Sequence, residues 1–434
     1  LLPMPTTVDS DLDDVEILDS SGRTASVDSL AWELAQKAGG SSGDDRSNSI
    51  AVSANGDVYV TGSFKNTAYF GDTILTSAGD WDIFVAKMNS TGYWFWAVQA
   101  GGSNQDIGEG IALDSSGNVF VTGTFQNSAQ FGTNSLTTNN GNAYDPYVAK
   151  ISSNGAWQWV NRGTGSGGSA NTGTDVAVDS NGYAYVTGYF SRNIGFDSTT
   201  LTWSGMYDIF VAKIDTLGNW QWATMAGGAQ GDELPNAITI GPNGDVYLTG
   251  YFQFTSTFGS NSLTSQTGKD AFVAKVSAQG NWMWSEAMGG GSNDIGNSIV
   301  VDSQGDVYVS GSFYSGISFG NFSYGAGGVS NSFIAKALDQ GNSVDWDWAR
   351  QVSSSSSNAA FGMTLDSNQD LLITGQFRGT ASFGNTALTS SGDYDVYVAK
   401  LQSNGNWSWA QEAGGGNEDN GLGVGVDSQG SLYV

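Results

Sequence analysis

The sequence contains no histidine and no cysteine. Without histidine, the chain cannot form a Ser-His-Asp or Cys-His nucleophile system, use a histidine base or bind zinc through imidazole. Without cysteine, it has neither disulfides nor thiolate chemistry. It also has no Gly-Lys-Ser/Thr phosphate loop and no Gly-x-Gly-x-x-Gly motif opening a helix. The catalytic chemistry that remains is a pair of Asp or Glu carboxylates, or a divalent metal held by oxygens.

Basic residues and long apolar runs are also scarce. The 15 Lys and Arg face 42 Asp and Glu, a net charge of −27, which repels nucleic acid and anionic membranes. No run approaches the 18 or so apolar residues of a membrane-spanning helix, and no signal peptide is visible, although Leu1 in place of Met fits a processed product. The Ser, Thr and Asn content is typical of an exported microbial surface protein, so we expect an extracellular or cell-surface location.

One short segment recurs along the chain. "GDVYVTGSF" at residues 56–64 returns in altered form from residues 117, 182, 244, 305 and 369, and a cut copy, "GSLYV", ends the sequence. The strand within each copy starts at residue 57, 118, 183, 245, 306, 370 or 431, so the period is about 62 residues. The 62 glycines follow no collagen-like period. A repeat of this length is typical of a four-stranded unit with long loops.

Each repeat reads as four strands. A short first strand such as "SIAVS" (49–53) is followed by a glycine turn and by the recurring segment. The third strand is "DIFVAK" (82–87), and the fourth carries Trp-x-Trp, as in "YWFWA" (93–97). The second strand is apolar or small on both faces, which predicts a sheet covered on both sides. Four-stranded sheets packed around an axis meet that requirement.

The cut copy predicts how the array closes. After six full repeats, the C-terminus supplies only "GVGVD" (423–427) and "SLYV" (431–434), while "DVEILD" (14–19) resembles a third strand and Trp32 matches Trp94. We therefore expect an all-β, seven-bladed β-propeller over residues 14–434, preceded by an arm at 1–13. The four-stranded antiparallel seventh blade would be shared between the termini, from residues 14–37 and 420–434.

Taken together, the repeated motifs resemble the bacterial and archaeal beta-propeller repeat family called SBBP. The resemblance runs from about Val15 to Val434 and rests on "VYVTGSF", "FVAK", Trp-x-Trp and "AGG". It implies a propeller fold and the secreted or surface setting typical of the family, but no defined activity.

One position before the first strand is an acid or an amide in all seven repeats. In a propeller this loop lies near one mouth of the central channel, where a ring of carboxylates would hold a cation such as calcium, or a polyol. In the alternative interpretation, each side chain caps backbone N–H groups in a turn, as Asp and Asn both do. The candidate metal ligands are Asp45, Asp106, Glu233, Asp294 and Asp419, and the amides are Asn171 and Asn358.

A second position, before the third strand, is often aromatic and is followed by Asp or Asn. Aromatic faces beside carboxylates suit a sugar-binding platform, whereas half-buried aromatics would instead pack between blades. Trp203 stands where other repeats have Ser or Thr and is a further candidate. The candidate ligand-binding residues are Trp81, Tyr144, Trp203, Tyr207 and Tyr394; Lys269 and Ser330 interrupt the pattern.

Three other patterns have plainer interpretations. Twelve of the 15 Trp form the Trp-x-Trp pairs, which we expect to pack against the adjacent blade. Six of the nine Lys share one repeat position, where we expect them to pair with carboxylates. Asp9, Asp11 and Asp13 have the spacing of a calcium loop but lack its Gly and Glu, so a solvated acidic segment is favoured.

Three functions remain open from the sequence. The regular scaffold and the missing catalytic groups favour a non-enzymatic surface module for binding, adhesion or structure, with a glycan or a protein as partner. The alternative is a carbohydrate-active enzyme or calcium-dependent glycan-binding protein that uses loop carboxylates. A third possibility is a subunit that binds copies of itself by pairing of the termini between chains.

Overall fold

The computed structural model describes residues 31–40, 44–139, 141 and 143–434. These residues form strands and turns, and no helix among them is long and apolar enough to cross a membrane. The arm at 1–13, the acidic segment within it and the predicted strand at 14–19 lie outside the described residues.

Six units follow one another along the chain, and each contains four long strands. Unit 1 consists of β1 (Asp45–Val52), β2 (Val58–Phe64), β3 (Thr67–Phe70), β4 (Thr73–Thr76), β5 (Asp82–Met88) and β6 (Trp94–Gly101). Unit 2 consists of β7 (Asp106–Leu113), β8 (Val119–Gln126), β9 (Ser128–Phe131), β10 (Asn134–Thr137), β11 (Tyr144–Ile151), β12 (Trp157–Arg162) and β13 (Thr164–Gly165). Unit 3 consists of β14 (Thr172–Val178), β15 (Ala184–Phe190), β16 (Ile194–Phe196), β17 (Thr199–Leu201), β18 (Asp208–Ile214) and β19 (Trp220–Gly227).

Units 4 and 5 merge some of these strands into longer ones, and unit 6 keeps them separate. Unit 4 consists of β20 (Leu234–Ile240), β21 (Val246–Phe258), β22 (Asn261–Val276) and β23 (Trp282–Gly290). Unit 5 consists of β24 (Asp294–Val301), β25 (Val307–Phe319), β26 (Phe322–Asp339) and β27 (Val344–Ser354). Unit 6 consists of β28 (Ser357–Leu365), β29 (Leu371–Arg378), β30 (Thr380–Phe383), β31 (Thr386–Thr389), β32 (Asp395–Leu401) and β33 (Trp407–Ala413). Two short strands, β34 (Gly425–Val426) and β35 (Leu432–Tyr433), follow unit 6.

The four long strands of every unit pair antiparallel in chain order. In unit 1 the order is β1-β2-β5-β6, with Val58 opposite Met88 and Phe64 opposite Asp82. The second strand is buried on both faces, since Val58 and Tyr59 are both almost inaccessible to solvent. The prediction of an all-β fold built from four-stranded antiparallel units is therefore confirmed.

The first strand is longer than the sequence predicted. Apolar residues mark it only from residue 49, but β1 begins at Asp45, which lies opposite Phe64. A bulge at Asn48 separates the polar part from the apolar part. The strand was predicted from its apolar residues, and these stop at the bulge. The polar residues before the bulge were therefore not predicted to belong to the strand.

The bulge residues connect the first strands of neighbouring units. The Nδ2 of Asn48 donates to the Gly108 carbonyl at 2.8 Å, and that of Asn236 donates to the Gly296 carbonyl at 2.8 Å. Asn297 repeats the bond to the Ala360 carbonyl at 2.7 Å. These first strands contact one another in chain order from unit 1 to unit 6.

A bridging hairpin connects each unit to its predecessor at the opposite edge. It is formed by the chain between the second and third strands, and it pairs with the fourth strand of the preceding unit. In unit 2 it places Phe131 edge-on against Trp157, with ring centres 5.2 Å apart. Adjacent units are thus linked at their first strands and at their fourth strands.

The terminal segments repeat these links. β34 contacts both β28 of unit 6 and β1 of unit 1, and the N–H of Ser428 donates to the Ala54 carbonyl at 3.1 Å. At the other end of the chain, Trp32 donates its Nε1–H to the Glu412 carbonyl at 3.1 Å. Gly39 pairs with Tyr69 in the bridging hairpin of unit 1, as Gly101 pairs with Gln130 in unit 2.

Candidate functional site

The acid-or-amide position of the sequence analysis lies at or beside the start of the first strand. There four of the five candidate carboxylates accept a backbone hydrogen bond from the glycine segment just before them, whereas both carboxylate oxygens of Asp294 are buried without a hydrogen-bond partner. The donors are the N–H of Gly40 to Asp45 (2.6 Å), of Gly102 to Asp106 (2.7 Å), of Gly228 to Glu233 (3.3 Å) and of Gly415 to Asp419 (2.9 Å). These bonds agree with the alternative interpretation, in which each side chain caps backbone N–H groups in a turn.

The acids that begin the third strand cap the loop before them in the same way. Four of them accept the N–H of the residue four positions earlier, as Asp82 does from Ala78 at 2.9 Å and Asp208 from Ser204 at 2.6 Å, whereas Asp145 accepts the Gly165 N–H at 2.9 Å. Asp270 and Asp395 repeat the bond with Gln266 at 3.1 Å and Ser391 at 2.8 Å. One oxygen of Asp82, Asp270 and Asp395 stays buried without a hydrogen-bond partner.

The two sets of acids meet at the junctions between units. Burial, and then the charge of Asp82, raise the pKa of Asp106 to about 7. At the next acidic junctions, burial and the charge of Asp270 raise the pKa of Asp294 to about 8, and burial raises the pKa of Glu233 to about 8, with Asp208 adding to it. We call these the junction pairs.

Two junctions replace the paired acids. Between units 5 and 6 the pair is Asn331 and Asn358, and the Nδ2 of Asn358 donates to the Oδ1 of Asn331 at 3.1 Å. Between units 2 and 3, Asp145 faces Asn171 and forms an ion pair with the Arg162 guanidinium. Two amides, or an acid with a guanidinium, therefore occupy places that elsewhere hold two buried acids.

No three acidic side chains in the described ranges are grouped so as to hold a metal ion. The five candidate metal ligands lie at five different junctions, and four of them bond to a glycine of their own junction. The calcium site therefore stays a prediction. The carboxylates that lie close to one another are the two acids of each junction pair.

The aromatic candidates have different surroundings. Trp81 is 8% exposed, and Arg46 and Lys65 lie over its ring at 5.2 and 4.9 Å from the centroid. Tyr144 donates its hydroxyl to Gln105 at 3.2 Å. Tyr394 is half-buried, and its carbonyl accepts the N–H of Asp419 at 2.6 Å.

Trp203 and Tyr207 lie together at the junction of units 3 and 4. Trp203 is 43% exposed, and its Nε1–H donates to the Met206 carbonyl at 3.2 Å. Tyr207 meets Tyr189 edge-on, with ring centres 5.2 Å apart. The structure thus brings two of the five aromatic candidates into one place and leaves the other three at separate junctions.

The Trp pairs and the repeated lysines belong to the scaffold. The second Trp of a pair donates to the next unit, as Trp96 does to the Ser153 carbonyl at 3.2 Å and Trp159 to the Thr216 carbonyl at 3.0 Å. Lys87 pairs with Asp57 at 2.8 Å, and the lysines of units 2, 4, 5 and 6 make the same kind of pair. Both structural predictions are confirmed, with the sixth lysine, Lys213, lying over two Tyr rings instead.

The sequence analysis missed two acids on the first strands. Glu109 occupies the bulge position and accepts a hydrogen bond from Asn48 at 3.2 Å, and burial raises its pKa to about 7. Asp175 accepts the Ile238 N–H at 3.0 Å, and burial raises its pKa to about 7 as well. A signal was present, because the position of Glu109 carries Asn in units 1, 4 and 5.

A family model described as "Beta-propeller repeat", SBBP, matches residues 96–124, from the fourth strand of unit 1 to the second strand of unit 2. The resemblance noted in the sequence is therefore confirmed. The chain is also 23% identical, over 440 residues, to an uncharacterized WD repeat-containing protein of Acanthamoeba polyphaga mimivirus. The alignment covers 83% of this chain and 31% of that protein, so the chain spans about a third of the relative's length.

Solved structures resemble the chain only distantly. A protein of unknown function from Bacteroides caccae is 10% identical, with 78% of this chain and 92% of that chain covered and a TM-score of 0.38. An auxiliary nutrient binding protein from Bacteroides ovatus is 12% identical, with 90% and 94% covered and a TM-score of 0.27. Likeness at this level carries no argument about function.

Proposed function

We propose that this chain of beta-propeller repeats is an extracellular, non-enzymatic module for binding or structure. The observation that carries the proposal is where the repeated polar groups are used. The junction carboxylates cap backbone, the Trp pairs bond across junctions and five of the six repeated lysines pair with Asp. A side chain engaged in this way stabilises the scaffold, so the repeat supplies a frame, and recognition falls to positions where units differ.

We further propose that the frame is a closed ring of seven blades. The bond from Trp32 to the Glu412 carbonyl repeats those from Trp220 to Arg162 and from Trp282 to Met225. In each case the acceptor lies five residues after the first Trp of the neighbouring unit. The segment around Trp32 thus supports a fourth strand of a terminal blade, and β34 and β35 support its first and second strands.

A cavity of about 610 Å³ lies between unit 1 and the terminal segments, and its lining includes the apolar side chains of Val60, Phe84, Trp94 and Leu422. In this proposal residues 14–19, which lie outside the described residues, supply the third strand of the seventh blade, as their sequence predicts.

Composition supports the proposed extracellular location. A chain without cysteine and with a net charge of −27 is suited to remaining soluble at high local concentration and in varied redox conditions. The same charge disfavours nucleic acid and anionic membrane surfaces as partners.

The test is a binding screen of the full chain against printed glycans and surface proteins, followed by product analysis of each ligand after long incubation. Binding without any change in the ligand supports the proposal. Ligand cleavage would establish the carbohydrate-active alternative. A chain that binds nothing would contradict the binding role.

A further inference from the structure

The departures from the repeat cluster at one place. At one position of the second strand, units 3 and 4 carry Tyr189 and Tyr251, whereas the other units carry Ser63, Thr124, Ser312 and Gln376. Trp203 replaces a residue that is Ser or Thr in units 1, 2, 4 and 6. Phe254 replaces Asn66, Asn127, Ser315 and Gly379. Four aromatic replacements thus fall in two adjacent units.

Phe254 occupies a backbone conformation that a bulky residue seldom adopts. Its φ is 57°, in the left-handed region that its counterparts share and that Asn or Gly adopts at less cost. The ring is nevertheless 55% exposed, so it gains little from packing in the scaffold. A strained and exposed aromatic residue points to a role outside folding.

The hydrogen bond at the position of Trp203 differs from the one that other units make at the same position. In units 1, 4 and 6 a serine hydroxyl at this position accepts the N–H of the strained hairpin residue, for example Ser265 from Phe254 at 2.8 Å. In unit 3 the bond is reversed, and the N–H of Trp203 donates to the Asn193 side chain at 3.0 Å. The indole edge is fixed by its bond to Met206, which leaves a ring face toward solvent.

These residues form a single surface. The N–H of Met206 donates to the Gly231 carbonyl at 3.2 Å, and a Cβ placed on Gly231 would lie 2.8 Å from the Phe254 ring. Met206 is 60% exposed and is followed by Tyr207. We define the junction surface as Trp203, Met206, Tyr207 and Phe254, from units 3 and 4.

We propose that the junction surface is a carbohydrate-binding site. The Trp203 ring is fixed by its bond to Met206 and the Tyr207 ring by its contact with Tyr189, and such order before stacking on the C–H faces of sugar rings reduces the entropy lost on binding. Polar groups beside them suit hydroxyls: Arg192 is exposed next to Asn193, and the Lys269 ammonium lies 3.9 Å from the Tyr251 ring centre. The proposal rests on the binding role proposed above and gives it a location and a ligand class.

The test uses substitutions to residues that other units carry at the same positions. Trp203→Ser and Phe254→Asn copy the residues of other units, so each variant is expected to fold, and Phe254→Asn is expected to melt at a higher temperature because it relieves strain. Each should weaken binding to a glycan selected on a printed array by at least about tenfold. Tyr93→Ser, which removes a 62% exposed aromatic residue from the strand-connecting turn of unit 1, is the control and should bind as the parent does.

The outcomes separate the two proposals. If the parent binds a glycan and both variants bind it equally well, the site is wrong while the binding role stands. If the parent binds only a protein and the variants lose that binding, the carbohydrate assignment is overturned. A parent that binds neither class overturns the site and the binding role together.

Discussion

Glycine lies directly against the buried acids of the junction pairs. A Cβ added at Gly289 would come within 2.2 Å of the Asp270 carboxyl carbon, and one at Gly227 within 2.1 Å of an Asp208 oxygen. Neither position needs a glycine for its φ angle, so the requirement is one of space. This explains why the "AGG" motif recurs with the acids: the small residue makes room for the carboxylate that caps the loop before the third strand.

Gly289→Ala is therefore expected to destabilise the protein by about 1–3 kcal/mol, because the new methyl group must displace a buried carboxylate. Urea unfolding followed by circular dichroism measures the change. Gly291→Ala is the matched control, since a Cβ there meets nothing within 4 Å, and it should change stability by less than about 0.5 kcal/mol. Equal effects at both positions would contradict the packing argument.

Single residues were only partly predictable from the sequence. The internal repeats marked Asp106, Asp294 and Trp203 as special because one position can be compared around the array. What each side chain touches could not be deduced, since the partner of Asp106 is Asp82 of the preceding unit, 24 positions earlier and on a different strand. Phe254 drew no attention, because its significance lies in a backbone angle that the sequence does not display.

The junction pairs make the stability of the folded protein depend on pH. The pKa of Asp270 rises from 3.8 to about 6 and that of Asp294 to about 8, in both cases mainly through burial. The folded state then binds protons that the unfolded chain has released, so the unfolding free energy falls as pH rises between about 4 and 8. Each group contributes at most about 1.4 kcal/mol per pH unit.

Replacing both acids by the amides of unit 5 should remove this dependence at one junction. The variant Asp270→Asn with Asp294→Asn copies Asn331 and Asn358, and it should melt at a higher temperature than the parent at pH 8 and at nearly the same temperature at pH 4. The reverse exchange, Asn331→Asp with Asn358→Asp, should lower the melting temperature at pH 8. Thermal unfolding at several pH values measures both.

The same melts test the calcium prediction. If a cation neutralises the junction pairs, millimolar calcium will raise the parent's melting temperature at pH 8 and EDTA will lower it, and the double-amide variant, which keeps the other junction pairs, will show a smaller response to both. If protons neutralise them, calcium will have no effect on either protein. A parent whose stability is independent of pH and of calcium would contradict both accounts.

The strands themselves were largely predictable. Alternation of apolar residues and the recurring glycine turns placed the four strands of each unit, and the pairing agrees with the structure. The bridging hairpin was predicted only as a long loop with a recurring segment, since strands such as β3 and β4 span only four residues each. Its role depends on pairing with another unit, which a local pattern cannot reveal.

At the scale of the whole molecule, the proposed seventh blade can be tested with a disulfide, because the natural chain has no cysteine to interfere. Val60 lies opposite Ala86 in unit 1, and the repeat predicts Val434 and Leu18 as the corresponding pair of the proposed blade. The variant Leu18→Cys with Val434→Cys should form an intramolecular disulfide, because directly paired residues lie within bonding distance. Non-reducing electrophoresis and peptide mapping detect it.

The control shifts one cysteine to the neighbouring position, Ile17→Cys with Val434→Cys, where the side chain points to the opposite face and no bond should form. A disulfide that links two chains would instead indicate strand exchange between molecules, the self-assembly alternative. Two free thiols in the first variant would contradict the proposed placement of residues 14–19.

The Trp pairs also determine what the intrinsic fluorescence of this protein reports. Twelve of its 15 indoles lie in the pairs, and bonded rings such as Trp96, Trp159 and Trp348 span the seams between units. Intrinsic emission therefore reports mainly on the seams rather than on the interior of any one sheet. A red shift that precedes the loss of the β-sheet circular dichroism signal would show units separating while each is still folded.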